Sequence, residues 1–299
     1  MNWQFFLEVL VGGLLAGVMY SLVALGFVLI YKASGVFNFA QGAMVFFAAL
    51  TFVSLVERGY NFWVAFLITF GAMVLFGIAT ERVVLRPLVN QPPITLFMAT
   101  IGLTFVLEGL AQLLWGSQPH GLELGIEDMP LEWLSANAGI NVSQFDLFAA
   151  LVAGILVSAL AVFFQKTRIG RALRAVADDH QAALSIGIPL QTIWRIVWAV
   201  AGFVALVAGL IWGARNGVQF ALTFTALKAL PVLILGGFTS VPGAIVGGLI
   251  IGSTEKLAEV YLGSYVGGGI DSWFPYVMAL AFLLIRPEGL FGERHIDRV

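Results

Sequence analysis

Phe145–Gln165 reads FDLFAALVAGILVSALAVFFQ, Lys166–Arg195 reads KTRIGRALRAVADDHQAALSIGIPLQTIWR, and Ile196–Trp212 reads IVWAVAGFVALVAGLIW. Two apolar runs thus flank a polar stretch that carries five of the fifteen cations, Lys166, Arg168, Arg171, Arg174 and Arg195. A cation cluster between membrane-length runs marks a cytoplasmic loop, since Lys and Arg concentrate on that side of a membrane protein. No other surface of the chain offers so much charge.

The remaining sequence is of one kind with the two runs. Its 299 residues are 60% hydrophobic and 11% charged, with a mean hydropathy of +0.96, a composition that excludes a soluble domain of this length. Runs of roughly 20 apolar residues suit helices across a hydrocarbon core of about 30 Å, whereas barrel strands show short alternation of period two. Each crossing segment must also satisfy its own backbone hydrogen bonds, so the prediction is an all-α, polytopic transmembrane helical bundle. The absence of cysteine excludes disulfides, thiolate metal sites and cysteine nucleophiles. Met1–Tyr31 has no basic leader, and its apolar run is too long for a signal peptide, so it reads as a first retained span.

Apolar runs bounded by charge, Gly or Pro fall at Phe5–Tyr31, Gly35–Val56, Phe62–Val84, Ile94–Trp115, Phe145–Phe164, Ile193–Trp212, Phe220–Gly236, Gly243–Tyr261 and Trp273–Ile285. They predict eight to nine membrane segments, some broken, in a single transmembrane domain over 1–299 with a cytoplasmic loop at 166–195. With that loop inside, alternation places Lys32, Arg82, Arg86, the five loop cations, Arg286, Arg294 and Arg298 inside, and Arg58 and Arg215 outside. The bias of eleven against two puts the N-terminus outside and the C-terminus in the cytoplasm. Gly116–Gln144, with four carboxylates and no Lys or Arg, is consistent with an external face.

Three segments can carry function. In the loop, Ile169, Leu173, Val176 and Leu184 recur near helical spacing up to Pro189, which predicts one short amphipathic helix. Gln181-Ala182-Ala183 with Gly187 keeps the E-A-A-x-x-x-G spacing at which importer permeases dock an ATPase, with Gln for Glu; a solvated connector is the alternative. In Ser34–Met44, Asn38 and Gln41 are three apart and share a face if helical, where amides either hold helices together or line a polar path. In Leu227–Gly248 the density of Gly and Pro predicts a broken helix, which membranes tolerate when it is buried in protein or lines a cavity.

Ionisable residues within spans are expected to have partners. Lys256 has Glu259 three positions on, Lys228 is long enough to snorkel outward, and Glu108 has no local cation. No G-x-x-x-x-G-K-[ST] occurs, so the chain cannot itself cradle ATP, and His120, His180 and His295 lie in no metal-binding motif, so no metal site is expected. No run of buried carboxylates suggests a proton relay, which disfavours an ion-coupled secondary carrier; a scaffolding membrane protein is the other rival.

Gly35–Gly42 (GVFNFAQG), Arg171–Ile188 (RALRAVADDHQAALSIGI), Leu227–Gly248 (LKALPVLILGGFTSVPGAIVGG) and Arg286–Gly292 (RPEGLFG) together resemble the permease family of branched-chain amino acid ABC importers, in its LivH-type branch. The resemblance implies a permease without a cofactor of its own, with ATP and Mg bound by two cytoplasmic ATPase subunits. It further implies a second, LivM-type permease subunit, an external substrate-binding protein, a setting in bacterial inner-membrane lipid, and no nucleic acid. Related permeases serve urea and short amides as well as amino acids. ATPase coupling maps to Ala177, Asp178, Asp179, His180, Gln181, Ala182, Ala183 and Gly187, and the translocation pathway to Asn38, Gln41, Gly42 and Thr100.

Overall fold

The computed structural model describes residues 3–88, 91–178 and 180–292; Asp179, Arg294 and Arg298 lie outside the described residues, as do the side chains of Asp178, His180 and Gln181. Among the described residues the regular elements are all helices, with two isolated β-bridges, His120 to Val218 and Pro130 to Ser143. In chain order they are α1 (Trp3–Ser34), α2 (Gln41–Glu57), α3 (Phe62–Ala79), α4 (Pro93–Trp115), α5 (Glu132–Ala138), α6 (Gln144–Lys166), α7 (Arg168–Asp178), α8 (His180–Ser185), α9 (Leu190–Asn216), α10 (Leu222–Leu227), α11 (Ala229–Gly236), α12 (Val241–Val266) and α13 (Phe274–Ile285). A π turn, Thr80–Leu85, and a 3₁₀ turn, Arg86–Leu88, extend α3.

The helix ends follow local chemistry. Asn61 caps α3 by accepting the Val64 N–H at 2.9 Å, and Ser240 caps α12 by accepting that of Gly243 at 3.0 Å. Gly35, at φ 70°, turns the chain after α1.

All nine apolar runs fall on helices, but fewer than nine cross by length. Five stretches, Trp3–Ser34, Phe62–Leu88, Pro93–Trp115, Gln144–Lys166 and Leu190–Asn216, are long and apolar enough, or six if Leu222–Gly236 and Val241–Val266, bent by 114°, form one broken span. The apolar helices α2 and α13, with 17 and 12 residues, fall short of the roughly 20 that a bilayer needs. Trp63, Leu67, Phe105, Leu113, Leu151 and Ile155 stand exposed on α3, α4 and α6, as lipid-facing helices require and water would penalise.

The chain forms two compact units. One, comprising 1–24, 124–158 and 228–299, is built around α12. There Gly13 and Gly17 of α1 meet Gly248 and Gly252 of α12 so closely that a Cβ on Gly252 would sit 2.4 Å from the Gly13 carbonyl oxygen, and one on Gly17 2.5 Å from that of Gly248. Each helix thus contributes a G-x-x-x-G step, whose lack of side chains lets the backbones touch. In the same unit the C-terminal segment reaches the end of α11: the N–H groups of Leu290 and Phe291 donate to the carbonyls of Leu235 and Gly236 at 2.8 and 3.1 Å. Those carbonyls have no acceptor role left inside their own helix. Two of the stretches that carried the resemblance, Leu227–Gly248 and Arg286–Gly292, therefore hold one another.

The other unit, comprising 25–123 and 159–227, is centred on α2 and α9, which pack on each other and on α3. Trp198, Phe52, Met44 and Leu50 are among its fully buried side chains.

Candidate functional site

The loop at 166–195 is helical as expected, with α7 and α8 on either side of Asp179. Thr167 caps α7, its Oγ1 accepting the Gly170 N–H at 3.0 Å. The Arg174 guanidinium donates to the carbonyls of Phe164 and Gln165, and that of Arg171 to Lys166. These are final carbonyls of α6, so two of the five loop cations cap the helix they follow. Gly170 permits the close return of the chain, since a Cβ there would lie 2.1 Å from the Phe164 oxygen.

Leu173 and Val176 are buried, as the amphipathic reading predicts. Leu184 is not: it is 52% exposed and Ile186 is 73% exposed. Ala177 is half-buried and Ala183 is buried, whereas Ala182 and Gly187 are exposed. Gly187, at φ 84°, ends α8 by donating its N–H to Leu184 while the Ile188 N–H reaches Ala183, both at 3.0 Å. This is a Schellman stop, which requires the left-handed conformation that Gly adopts without strain.

The structure gathers Asn38, Gln41, Gly42 and Thr100 in the unit centred on α2. Asn38 lies before the helix rather than on a shared helical face, since α2 begins at Gln41. Its Oδ1 accepts the Ala40 N–H at 3.1 Å, a turn typical of Asn, and its Nδ2 donates to Gln41 Oε1 at 3.4 Å. Gln41 Nε2 in turn donates to the Ala201 carbonyl of α9 at 3.4 Å. Thr100 Oγ1 accepts the Phe39 N–H at 3.2 Å and lies 3.2 Å from the Phe37 carbonyl. Asn38, Gln41 and Thr100 are all buried, and their bonds tie the segment before α2 to α4 and α9. Gly42 lets α10 approach, as a Cβ there would lie 2.4 Å from the Thr223 carbonyl oxygen. The hydroxyl of Thr223 is buried and without a partner among the described residues.

Two charge clusters were invisible in the sequence. Glu81, fully buried in the π turn, lies between Arg86 at 3.2 Å and Arg195 at 3.1 Å. Arg86 is five residues from Glu81, a spacing that an α-helix does not align but a π turn does. Arg195, one of the five loop cations, thereby fastens the start of α9 to the π turn that extends α3. In the unit built around α12, Lys228 bridges Glu255 and Asp271, each at 3.3 Å, and the Tyr20 hydroxyl donates to Glu255 at 3.1 Å. Lys228 therefore pairs inward instead of snorkelling. Glu259 does not pair with Lys256; its carboxylate accepts the backbone N–H groups of Gly269 and Asp271, both at 3.1 Å.

Arg86→Met and Arg195→Met each leave Glu81 one guanidinium, whereas the double variant leaves the carboxylate buried and unpaired. The double variant is expected to lose about 1 kcal/mol or more beyond the sum of the singles, read from thermal unfolding in detergent. Strict additivity would show that the two arginines do not share this carboxylate.

A family profile described as branched-chain amino acid transport system, permease component, matches residues 9–286. The chain belongs to this family. It is 27% identical over 309 aligned residues to the high-affinity branched-chain amino acid transport system permease protein LivH of Salmonella typhimurium, covering 100% of this chain and 99% of that one. A probable branched-chain amino acid transport permease protein LivH of Methanocaldococcus jannaschii is 29% identical, with 95% and 92% covered. The fructose import permease protein FruF of Bifidobacterium longum is 26% identical, with 79% and 66% covered. The chain is a LivH-type permease of the ABC transporter class, and its apolar helices make it a multi-pass membrane protein.

Proposed function

We propose that this permease forms half of the translocation pathway of an ATP-driven importer for branched-chain or other hydrophobic amino acids. The observation that carries the reading is the pair Leu184 and Ile186, apolar and exposed at the end of α8 inside the most cationic loop of the chain. Exposed aliphatic side chains on a polar loop gain free energy when a partner covers them, and a chain without a phosphate-binding motif needs a partner to use ATP.

In this reading residues 1–299 are one permease domain in a bacterial inner membrane, with the N-terminus outside and the C-terminus inside. It has eight to nine membrane segments once α2, α13 and both arms of the broken helix are counted. A second, LivM-type permease completes the pathway, and two cytoplasmic ATPase subunits holding ATP and Mg dock on Ala177–Gly187. An external binding protein delivers substrate. Closure of the ATPases moves α8; Arg195, held to Glu81, passes that motion to α3 and α9. Asn38, Gln41, Gly42 and Thr100 supply the polar lining of an otherwise apolar path.

Because a relative is named for fructose, family membership alone leaves the substrate open, and ligand binding by the cognate external protein identifies it. The partnership is tested by purifying the chain in mild detergent from its native membrane. Recovery with a second permease and a pair of ATPase polypeptides is expected; recovery as a homogeneous single polypeptide would contradict it.

A further inference from the structure

Glu108 is a carboxylate on α4 within an apolar span, and no described residue donates a hydrogen bond or a cation to it. Its residue is 9% exposed, largely withdrawn from bulk solvent. An ionisable group placed this way in a membrane helix is costly unless a counter-charge reaches it.

The position of Glu108 on α4 narrows the source of that charge. Leu96, Thr100, Leu107, Glu108 and Ala111 form the buried face of α4, the side on which the helix packs against α2. Val106, Leu110 and Leu113 form the exposed face, 55%, 42% and 80% exposed, which is what lipid or a neighbouring subunit meets. Glu108 therefore faces away from any partner laid against α4. It shares its side with Thr104 and Thr100, each four residues from the next, so the three polar groups line one edge over about 12 Å. Thr104 donates to the Thr100 carbonyl at 3.0 Å, and Thr100 reaches the segment of Asn38 and Gln41. Hydroxyl oxygens that donate their proton still hold lone pairs for an incoming donor.

We propose that Glu108 receives the ammonium group of an amino acid substrate, and that the Thr104 and Thr100 hydroxyls lead this group to the amide cluster. This inference rests on the reading of the chain as an amino-acid permease and names the residue that recognises the charged head. The apolar side chain needs only an apolar path, but the ammonium brings three donors and a charge that hydrocarbon cannot satisfy.

The test uses the complete complex in vesicles with its binding protein, and leucine as the probe. Glu108→Gln keeps shape and removes charge, and is expected to lower ATP-driven leucine uptake about tenfold or more, with Glu108→Asp between it and the wild type. Wild-type uptake by Glu108→Gln overturns the inference and leaves the permease reading standing. A wild-type complex that takes up no leucine overturns the reading and this inference with it.

A second measurement separates the sources of charge. A membrane-permeant carbodiimide is applied to the wild-type complex, and modification at Glu108 is followed by peptide mass spectrometry. Excess leucine is expected to slow modification, whereas 4-methylpentanoate, which keeps the side chain and lacks the ammonium, leaves it unchanged. No modification would mean that a partner's cation holds the carboxylate. Modification indifferent to both ligands would mean a proton site, and equal protection by both would mean recognition of the side chain alone. Each of these three results overturns the proposal.

Discussion

Gly252→Leu is expected to leave no folded permease in the membrane. The Cβ that leucine adds would lie 2.4 Å from the Gly13 carbonyl oxygen and 2.5 Å from the Gly17 backbone. Backbone atoms cannot rotate away as a flexible side chain can, so α1 and α12 must separate along the contact where Gly13, Gly17, Gly248 and Gly252 interlock. Overpacking of a core costs about 1–3 kcal/mol when neighbours relax, and more when the obstacle is a helix backbone. Tyr20 and Glu255, which bond at 3.1 Å across the same two helices, would part as well. Against a total stability of about 5–15 kcal/mol such a loss is decisive. The check is the yield of monodisperse protein on size exclusion in detergent. Gly102→Leu is the control, because a Cβ at Gly102 meets nothing within 4 Å, and its yield is expected to equal the wild type's. Equal yields for both variants would show that α1 and α12 do not touch.

The second large effect is expected at the loop. Changing both Leu184 and Ile186 to Asp should abolish ATP-driven uptake while leaving the membrane helices folded. Both side chains are exposed, so charge there costs the isolated chain little, but a partner covering them would have to bury two unpaired carboxylates. Loss of two central apolar anchors is worth about 2 kcal/mol each, so ATPase affinity should fall by about a thousandfold. Ala183 is the wrong place for this experiment: it is 1% exposed, and a bulky charge there would disrupt α8 itself. The readouts are co-purification of the ATPase and a melting temperature matched to the wild type. Retained ATPase with unchanged uptake would remove α8 from the coupling route.

Much of the architecture was legible because bilayer physics writes itself into composition. The nine apolar runs located the helices, and the density of Gly and Pro after Leu227 located the break, which the structure places after Gly236. Length alone hid the difference between crossing and shorter helices: Gly35–Val56 reads as one run, but Gly35 turns and Asn38 bonds the Ala40 N–H, so α2 starts only at Gln41. The helical character of the loop was legible from its apolar spacing, but the exposure of Leu184 was not, since spacing alone cannot show which apolar positions the fold leaves uncovered. The amide cluster was found because amides are rare in hydrocarbon. Its partners were not, because Ala201 contributes only a backbone carbonyl, which every residue has. The charge clusters were missed for a related reason. Lys228 and Glu255 are twenty-seven residues apart, and only the folded chain brings them together.

The most direct test of the account is transport by the chain in sealed vesicles, with and without its ATPase partners and binding protein. Leucine uptake is predicted only when ATP, both ATPases and the binding protein are present, and it is predicted to be indifferent to proton or sodium gradients. Uptake by the chain without an ATPase, driven by an ion gradient alone, would contradict the account.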